Sequence, residues 1–351
     1  MNLKEYLSEK RKLLEPFILD YLKSKRGSNS NLAYLDDAIE KLEKFVTQGK
    51  MLRGILVLAS CEMFGREISN QELQIAAALE LTHSALLIHD DIMDNDLKRR
   101  GNPTIFAQYI SQATQVSDPK TYGISQGINV GDISLFYAYD LLSNSTNDVK
   151  LNRKLVKFFT EELVKVGAAQ MQDVAFGYSS ENPNTEDILS VYKYKSGRYT
   201  VSLPLVMGAI LTNQDNDTIK KLDKFGEKLG IIFQIKDDEL GLFGNEAEIG
   251  KPVGSDIREN KKTIFRSLLF QKADSKQMNF LNTVFGNGQL TQEEIVRVKK
   301  LLSELNVVDE VNQTVQELLL DVRSILSNLD ISKSSKNLLE EFIEYNLNRK
   351  V

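Results

Sequence analysis

Apolar residues recur along this chain at spacings of three and four, while strict alternation is scarce. That period lines up side chains on one face of an α-helix, whereas a half-buried strand needs a period of two. Leu73, Ala76, Ala77, Glu80, Leu81 and Ser84 continue one such stripe, and Ile295, Val298, Leu301, Leu302 and Leu305 another. Helix starts are visible in the polar residues between stripes. Thr291 with Glu294 has capping-box spacing, and Thr185 is placed to cap a segment running to Lys195. Gly286-Asn287-Gly288 breaks two helices apart. Of the 6 prolines, all but Pro204 fall where a helix edge or loop is expected. The fold class predicted is all-α, many helices, in a single domain over residues 1–351.

Two stretches lack the helical period. Residues 111–127, with Asp118-Pro119 and Gly123, read as a surface insertion between helices. Residues 244–262 are rich in glycine and charge, the composition of loops that often carry binding groups. With 44 basic against 49 acidic residues, nothing marks a nucleic-acid surface. The lone Cys61 excludes an intrachain disulfide, fits a reducing compartment and reads as a small core residue. The first ten residues carry charge where a signal peptide needs an apolar core. No apolar run approaches the roughly 20 residues of a membrane span. A cytoplasmic protein is expected.

The acidic residues change the picture most. The apolar run 75–88 ends in His89-Asp90-Asp91-Ile92-Met93-Asp94. Several carboxylates at the end of a buried helix cost stability unless a cation neutralises them. Asp90 and Asp94 share a helix face, His83 lies on that face two turns deeper, and Asp91 points elsewhere as a supporting partner. A second cluster, Asp237-Asp238-Glu239, follows the apolar run 229–235. Two such ends predict facing walls of a site for a hard divalent cation, which takes oxygen ligands and substrate phosphates. An arbitrary pair of aspartates four apart is more often a solvated helix end. Here the apolar run before the pair and Arg99-Arg100 after it reverse that preference, giving oxygens for metal and guanidinium forks for phosphate. Lys50 and Arg53, three apart on one helix face, precede apolar residues 55–58 and predict a charged mouth over a buried segment. His89 reads as a packing residue off the ligand face.

Leu87-Ile88-His89-Asp90-Asp91-Ile92-Met93-Asp94 followed by Arg99-Arg100-Gly101-Asn102-Pro103-Thr104 resembles the first aspartate-rich motif of trans-isoprenyl diphosphate synthases. Four further elements resemble that family's in the same order: Gly49-Lys50-Met51-Leu52-Arg53, Lys195-Ser196-Gly197, Phe233-Gln234-Ile235-Lys236-Asp237-Asp238, and Gly250-Lys251-Pro252-Val253-Gly254-Ser255-Asp256-Ile257-Arg258. One aspartate motif is weak evidence; five ordered elements are strong. The resemblance implies a helical bundle around a deep central cavity and head-to-tail condensation of isopentenyl diphosphate with an allylic diphosphate. It implies magnesium, three ions with diphosphate bound, on Asp90, Asp94 and Asp237, with Asp91, Asp238 and Asp256 acting through water or as supports. Arg99, Lys195, Lys251 and Lys261 would hold the allylic diphosphate, assisted by Ser196 and Gln234. Lys50, Arg53, His83 and Arg100 would hold isopentenyl diphosphate. A homodimer is the family's usual state.

The chain departs from the family pattern at Gly241, where many members carry a third aspartate, and at Gly54, where proline is common. Glu239 is a poor substitute, because a residue two along faces away. Leu86 and Ala85 occupy the positions, four and five before the first aspartate, where aromatics stop chain growth early in the family. Neither is aromatic, so the expected product is C20 or longer, geranylgeranyl diphosphate first among them. A terpene cyclase or a head-to-head condensing enzyme would not need Lys50, Arg53 and Arg100. A non-catalytic subunit of a heteromeric synthase is the non-enzyme alternative.

Overall fold

The structure, a computed structural model, describes residues 2–27, 32–179, 182–244 and 254–348. Helices make up nearly all its regular structure, as the apolar period predicts. Among the described residues the one sheet is a hairpin, β1 (Lys98–Arg99) against β2 (Asn102–Pro103). No described helix is long and apolar enough to cross a membrane. The chain forms two compact units that interleave in sequence: Met1–Phe159 with Pro204–Asp215, and Thr160–Leu203 with Asn216–Val351.

The first unit holds α1 (Leu3–Lys25), α2 (Ala33–Val46), α3 (Leu52–Met63), α4 (Asn70–Met93), α5 (Ile105–Gln112), α6 (Pro119–Ser143) and the start of α7 (Val149–Tyr178). Helix α4 is its axis and packs along α6 and α3. Ser69 starts it with a capping box to Glu72, satisfying two N–H groups that a helix end otherwise leaves open. Ile75, Leu79 and Leu81 are wholly buried, each worth about 1.5–3 kcal/mol relative to exposure. Two expectations change here. Pro16 lies inside α1 rather than at an edge, and the full burial of Leu14, Ile18 and Leu22 outweighs its cost of about 3 kcal/mol. Much of the supposed insertion is helix: α6 begins at Pro119, with Asp118 accepting from Thr121 N at 3.1 Å. An Asp-Pro helix start was present in the sequence and outranked the polar composition around it.

The second unit continues α7 and adds α8 (Thr185–Val191), a π-helical segment (Tyr192–Ser202) and α10 (Asn216–Phe243); the intervening α9 (Leu203–Leu211) belongs mostly to the first. Then come α11 (Ser255–Arg258), α12 (Ile264–Lys272), α13 (Ser275–Val284), α14 (Gln292–Glu304), α15 (Val307–Ser327) and α16 (Lys333–Leu347). Helix α10 is the axis of this unit, against the π-helical segment, α15 and α16. Asn184, not Thr185, caps α8, and α8 gives way to the π-helix before Lys195. Arg198 binds that segment to α7 through Glu162 (2.8 Å) and to α10 through Glu227 (2.9 Å) and Asp223. The capping box at Thr291 and the break at Gly286 stand as expected.

Candidate active site

In the first unit, α4 closes with Asp94 N donating to Asp90 O at 2.9 Å, so the two aspartates do stand one turn apart. The chain then turns at Asn95 and enters the β1–β2 hairpin. Arg100 and Gly101 have φ of 52° and 77°, the paired left-handed conformation of a two-residue hairpin turn. The hairpin returns Arg99 to the helix end, where Nε donates to Asp91 Oδ1 at 2.6 Å and Nη2 lies 3.7 Å from Asp90 Oδ2. Asp91 is buried, and burial raises its carboxyl to about 6 against the pull of Arg99. Asp90 is half-buried and Asp94 exposed.

Around His83 the same unit gathers positive charge. Burial, then the charges of Arg53, Arg100 and Arg99, hold the imidazole neutral. Burial, Arg99 and Arg53 likewise press the Arg100 guanidinium below its ordinary range. A Cβ on Gly49 would stand 3.1 Å from Arg100 Nη1, so the Gly49–Arg53 element and the hairpin turn are neighbours. Like charges this close repel, and a polyanion relieves them. Lys50 corrects an expectation: α3 begins at Leu52 after a left-handed Met51 (φ 53°), so Lys50 is an exposed loop residue and only Arg53 is helical. Gly54 has a local reason as well. Its N–H donates to the buried Glu80 Oε1 at 2.7 Å, a bond proline could not make. His89 turns away, with Nε2 3.3 Å from Ile128 O and 3.6 Å from Asp132.

In the second unit the candidate residues form a partly buried chain of hydrogen bonds. Ser196 Oγ donates to Gln234 Oε1 (2.7 Å), and Gln234 Nε2 donates to Asp238 Oδ1 (3.0 Å). Tyr192 OH donates to Asp238 Oδ2 and accepts from Ile264 N at 2.9 Å. Lys261 Nζ approaches Asp238 Oδ1 at 3.4 Å. Asp238 is wholly buried, and burial raises its carboxyl to about 6 despite Lys261. Burial works against the Lys261 ammonium, but Asp238, Asp256 and Asp237 outweigh it and keep it charged. Lys195 Nζ donates to Asp173 Oδ2 at 2.5 Å. Glu239 is taken by Lys236 at 2.6 Å and is no stand-in ligand. Lys193 pairs with Glu227 at 2.9 Å, a structural bond. The predicted ligand Lys251 lies outside the described residues.

Asp173, Tyr192 and Glu80 escaped the sequence reading. Asp173 is the one acid of α7 beyond Glu162, a thin signal; Tyr192 has none, since its partner is 46 residues away. Among the described residues no three carboxylate, histidine or cysteine side chains converge tightly enough to hold a metal by themselves. Four of the carboxylates are instead paired with protein cations: Asp90 and Asp91 with Arg99, Asp173 with Lys195, and Asp238 with Lys261. The donor set nonetheless suits a hard cation: it is all oxygen, and Asp91 Oδ2 and Asp256 Oδ2 are buried with no hydrogen bond.

Comparison with known proteins adds an independent line. The polyprenyl synthetase family model matches residues 35–305. A geranylgeranyl diphosphate synthase of Saccharolobus solfataricus is 31% identical, over 78% of this chain and 77% of that protein. A short chain isoprenyl diphosphate synthase of Methanocaldococcus jannaschii is 32% identical over 72% of each. Geranylgeranyl pyrophosphate synthase from Corynebacterium glutamicum, solved with isoprenyl diphosphate and magnesium, superimposes with a TM-score of 0.90 at 26% identity, covering 99% of this chain and 100% of that one.

Proposed function

Because the chain belongs to the polyprenyl synthetase family, we propose that it is a prenyltransferase joining isopentenyl diphosphate head-to-tail to an allylic diphosphate. The observation that carries this reading lies within the first unit. The charges of Arg53, Arg99 and Arg100 bear on a neutral His83, and Arg99 also reaches the Asp90–Asp91 pair. That is one environment for a metal-bound diphosphate and one for a second diphosphate needing no metal. A terpene cyclase has use only for the first.

Asp90, Asp94 and Asp237 would hold magnesium, with Asp91, Asp238 and Asp256 acting through water or as supports. Bound magnesium supplies neutralisation of the charge that grows on the departing diphosphate. Arg99, Lys195 and Lys261 hold the allylic diphosphate, exchanging their carboxylate partners for phosphate oxygens; Ser196 and Gln234 fix the Asp238 carboxylate among them. Lys50, Arg53 and Arg100 hold isopentenyl diphosphate, and His83, uncharged, donates one hydrogen bond. As the allylic carbon–oxygen bond breaks, the isopentenyl double bond forms the new carbon–carbon bond. The proton it loses leaves with the diphosphate. No side-chain base is needed, which agrees with His89 facing α6.

The product is C20 or longer. Ala85 is fully enclosed, whereas Leu86 is half-buried on the Asp90 face, so Leu86→Phe probes chain length without overpacking the core. The chain works as a homodimer. Val164, Met171 and Tyr178, seven apart on α7, are 72%, 75% and 86% exposed, a stripe that a second copy would cover. Light scattering should give twice the chain mass. Incubation with magnesium, isopentenyl diphosphate and C5, C10 or C15 allylic diphosphate should yield prenyl diphosphates of C20 or more. No product from any starter would assign the chain to a non-catalytic role.

A further inference from the structure

We propose that Gly241 and Asp256 act as one element: the absent side chain at 241 seats the Asp256 carboxylate on the Asp237 face of α10, where it helps hold the metal–diphosphate complex. The inference rests on the prenyltransferase reading and specifies a residue pair that the aspartate spacing alone does not.

Residue 241 follows Asp237 by four, so a side chain there would rise from the same face one turn on. A Cβ built on Gly241 would stand 2.5 Å from Asp256 Oδ2, 2.9 Å from Cγ and 3.2 Å from Oδ1. The carboxyl group of Asp256 thus occupies the space in which any side chain at 241 would begin. A carboxylate is present at that point of the face, delivered from the following segment instead of from the helix itself.

Asp256 is 9% exposed, and its Oδ2 is buried without a hydrogen bond. Leaving a buried acceptor unmet is costly. Among the described residues no cation bonds it, since Lys261 Nζ turns to Asp238 Oδ1 instead. Nor does backbone order require it: the tie to Lys261 N, 2.9 Å, uses the Asp256 carbonyl, not its side chain. A cation, or water bound to one, satisfies that oxygen and gives the otherwise costly placement a purpose. The geometry also yields an inverted expectation. Restoring an aspartate at 241 displaces Asp256 and weakens the site.

The test measures the magnesium dependence of inorganic diphosphate binding by thermal shift and calorimetry on the full chain. Asp256→Asn keeps shape and removes charge. It should raise the half-saturating magnesium concentration about tenfold or more, with the melting temperature in the absence of ligand unchanged. Gly241→Asp should do the same, and Gly241→Asp with Asp256→Gly, which moves the carboxylate onto the helix, should regain most of the loss. An unchanged magnesium midpoint in Asp256→Asn overturns the proposal, as does a double variant no better than Gly241→Asp. A lowered melting temperature with the midpoint unmoved means that Asp256 only stabilises the segment. If Gly241→Asp does not fold, Asp256→Asn alone decides. Wild type blind to magnesium and diphosphate would instead overturn the function itself. A wild type that responds, an Asp237→Asn variant that does not and an Asp256→Asn variant that does would remove this inference alone.

Discussion

Asp91 and Asp238 make an instructive pair. Both are buried second members of an Asp-Asp step at an acidic motif, and burial raises both carboxyls to about 6. Their surroundings differ in kind. Among the described residues Asp91 has one donor to its carboxylate, Arg99, eight residues along the chain, and its other oxygen has none. Asp238 receives Gln234 from one turn back on α10, and Tyr192 and Lys261 from two other segments, 46 and 23 residues away. The first site is built by local chain geometry, a helix end and a tight hairpin. The second is assembled by tertiary packing, with backbones nearly touching where a Cβ on Gly230 would lie 2.2 Å from Gly197 Cα.

The largest expected effect treats the two motifs alike. Asp90→Asn and Asp237→Asn should each lower kcat by on the order of 10²–10³-fold, the scale of losing one charge-stabilising group in a transition state. Both side chains are only half-buried, so the melting temperature should barely move. Steady-state kinetics beside thermal denaturation checks both halves. A large loss at one and none at the other would break the symmetry of the two motifs.

The next effect separates them. Three donors point at the two oxygens of Asp238, so an asparagine there must turn its NH₂ toward at least one of them. Asp238→Asn should therefore cost about 1–3 kcal/mol of stability, measured by urea unfolding. Asp91→Asn meets no such conflict, because its amide can fill the side that no donor faces while its oxygen keeps Arg99. That change should cost no more than about 1 kcal/mol. Equal costs would mean that donor count is not what distinguishes the sites.

This contrast also explains what the sequence could reveal. Helix class, the aspartate spacing at 90 and 94, and the return of Arg99 follow from short-range periodicity and turn residues, and were legible. The roles of Tyr192 and Asp173, and the seating of Asp256 over Gly241, depend on contacts between distant segments that no spacing encodes. Lys50 was misplaced for a related reason. A spacing of three predicts a shared helix face only if the helix has begun, and the left-handed Met51 delays it to Leu52.

The smallest effect asks how far tertiary burial in the second region reaches beyond its ligands. Lys262, next to Lys261, is 7% exposed; burial first, and Arg266 second, push its ammonium down to about 8. A lysine lowered on folding binds fewer protons in the folded chain than in the unfolded one between its two pKa values. Wild-type stability should thus gain from this residue as pH rises from about 8 toward 10.5, and carry a constant penalty below about 8. Lys262→Met removes the penalty, so it should be more stable than wild type by about 1 kcal/mol at pH 7. The advantage should shrink through that same window, because wild type then sheds its proton. Urea unfolding of both chains at pH 7 and pH 10 reads the difference directly. An advantage independent of pH would trace to improved apolar packing, and the cost of burying charge would then stop at Asp238.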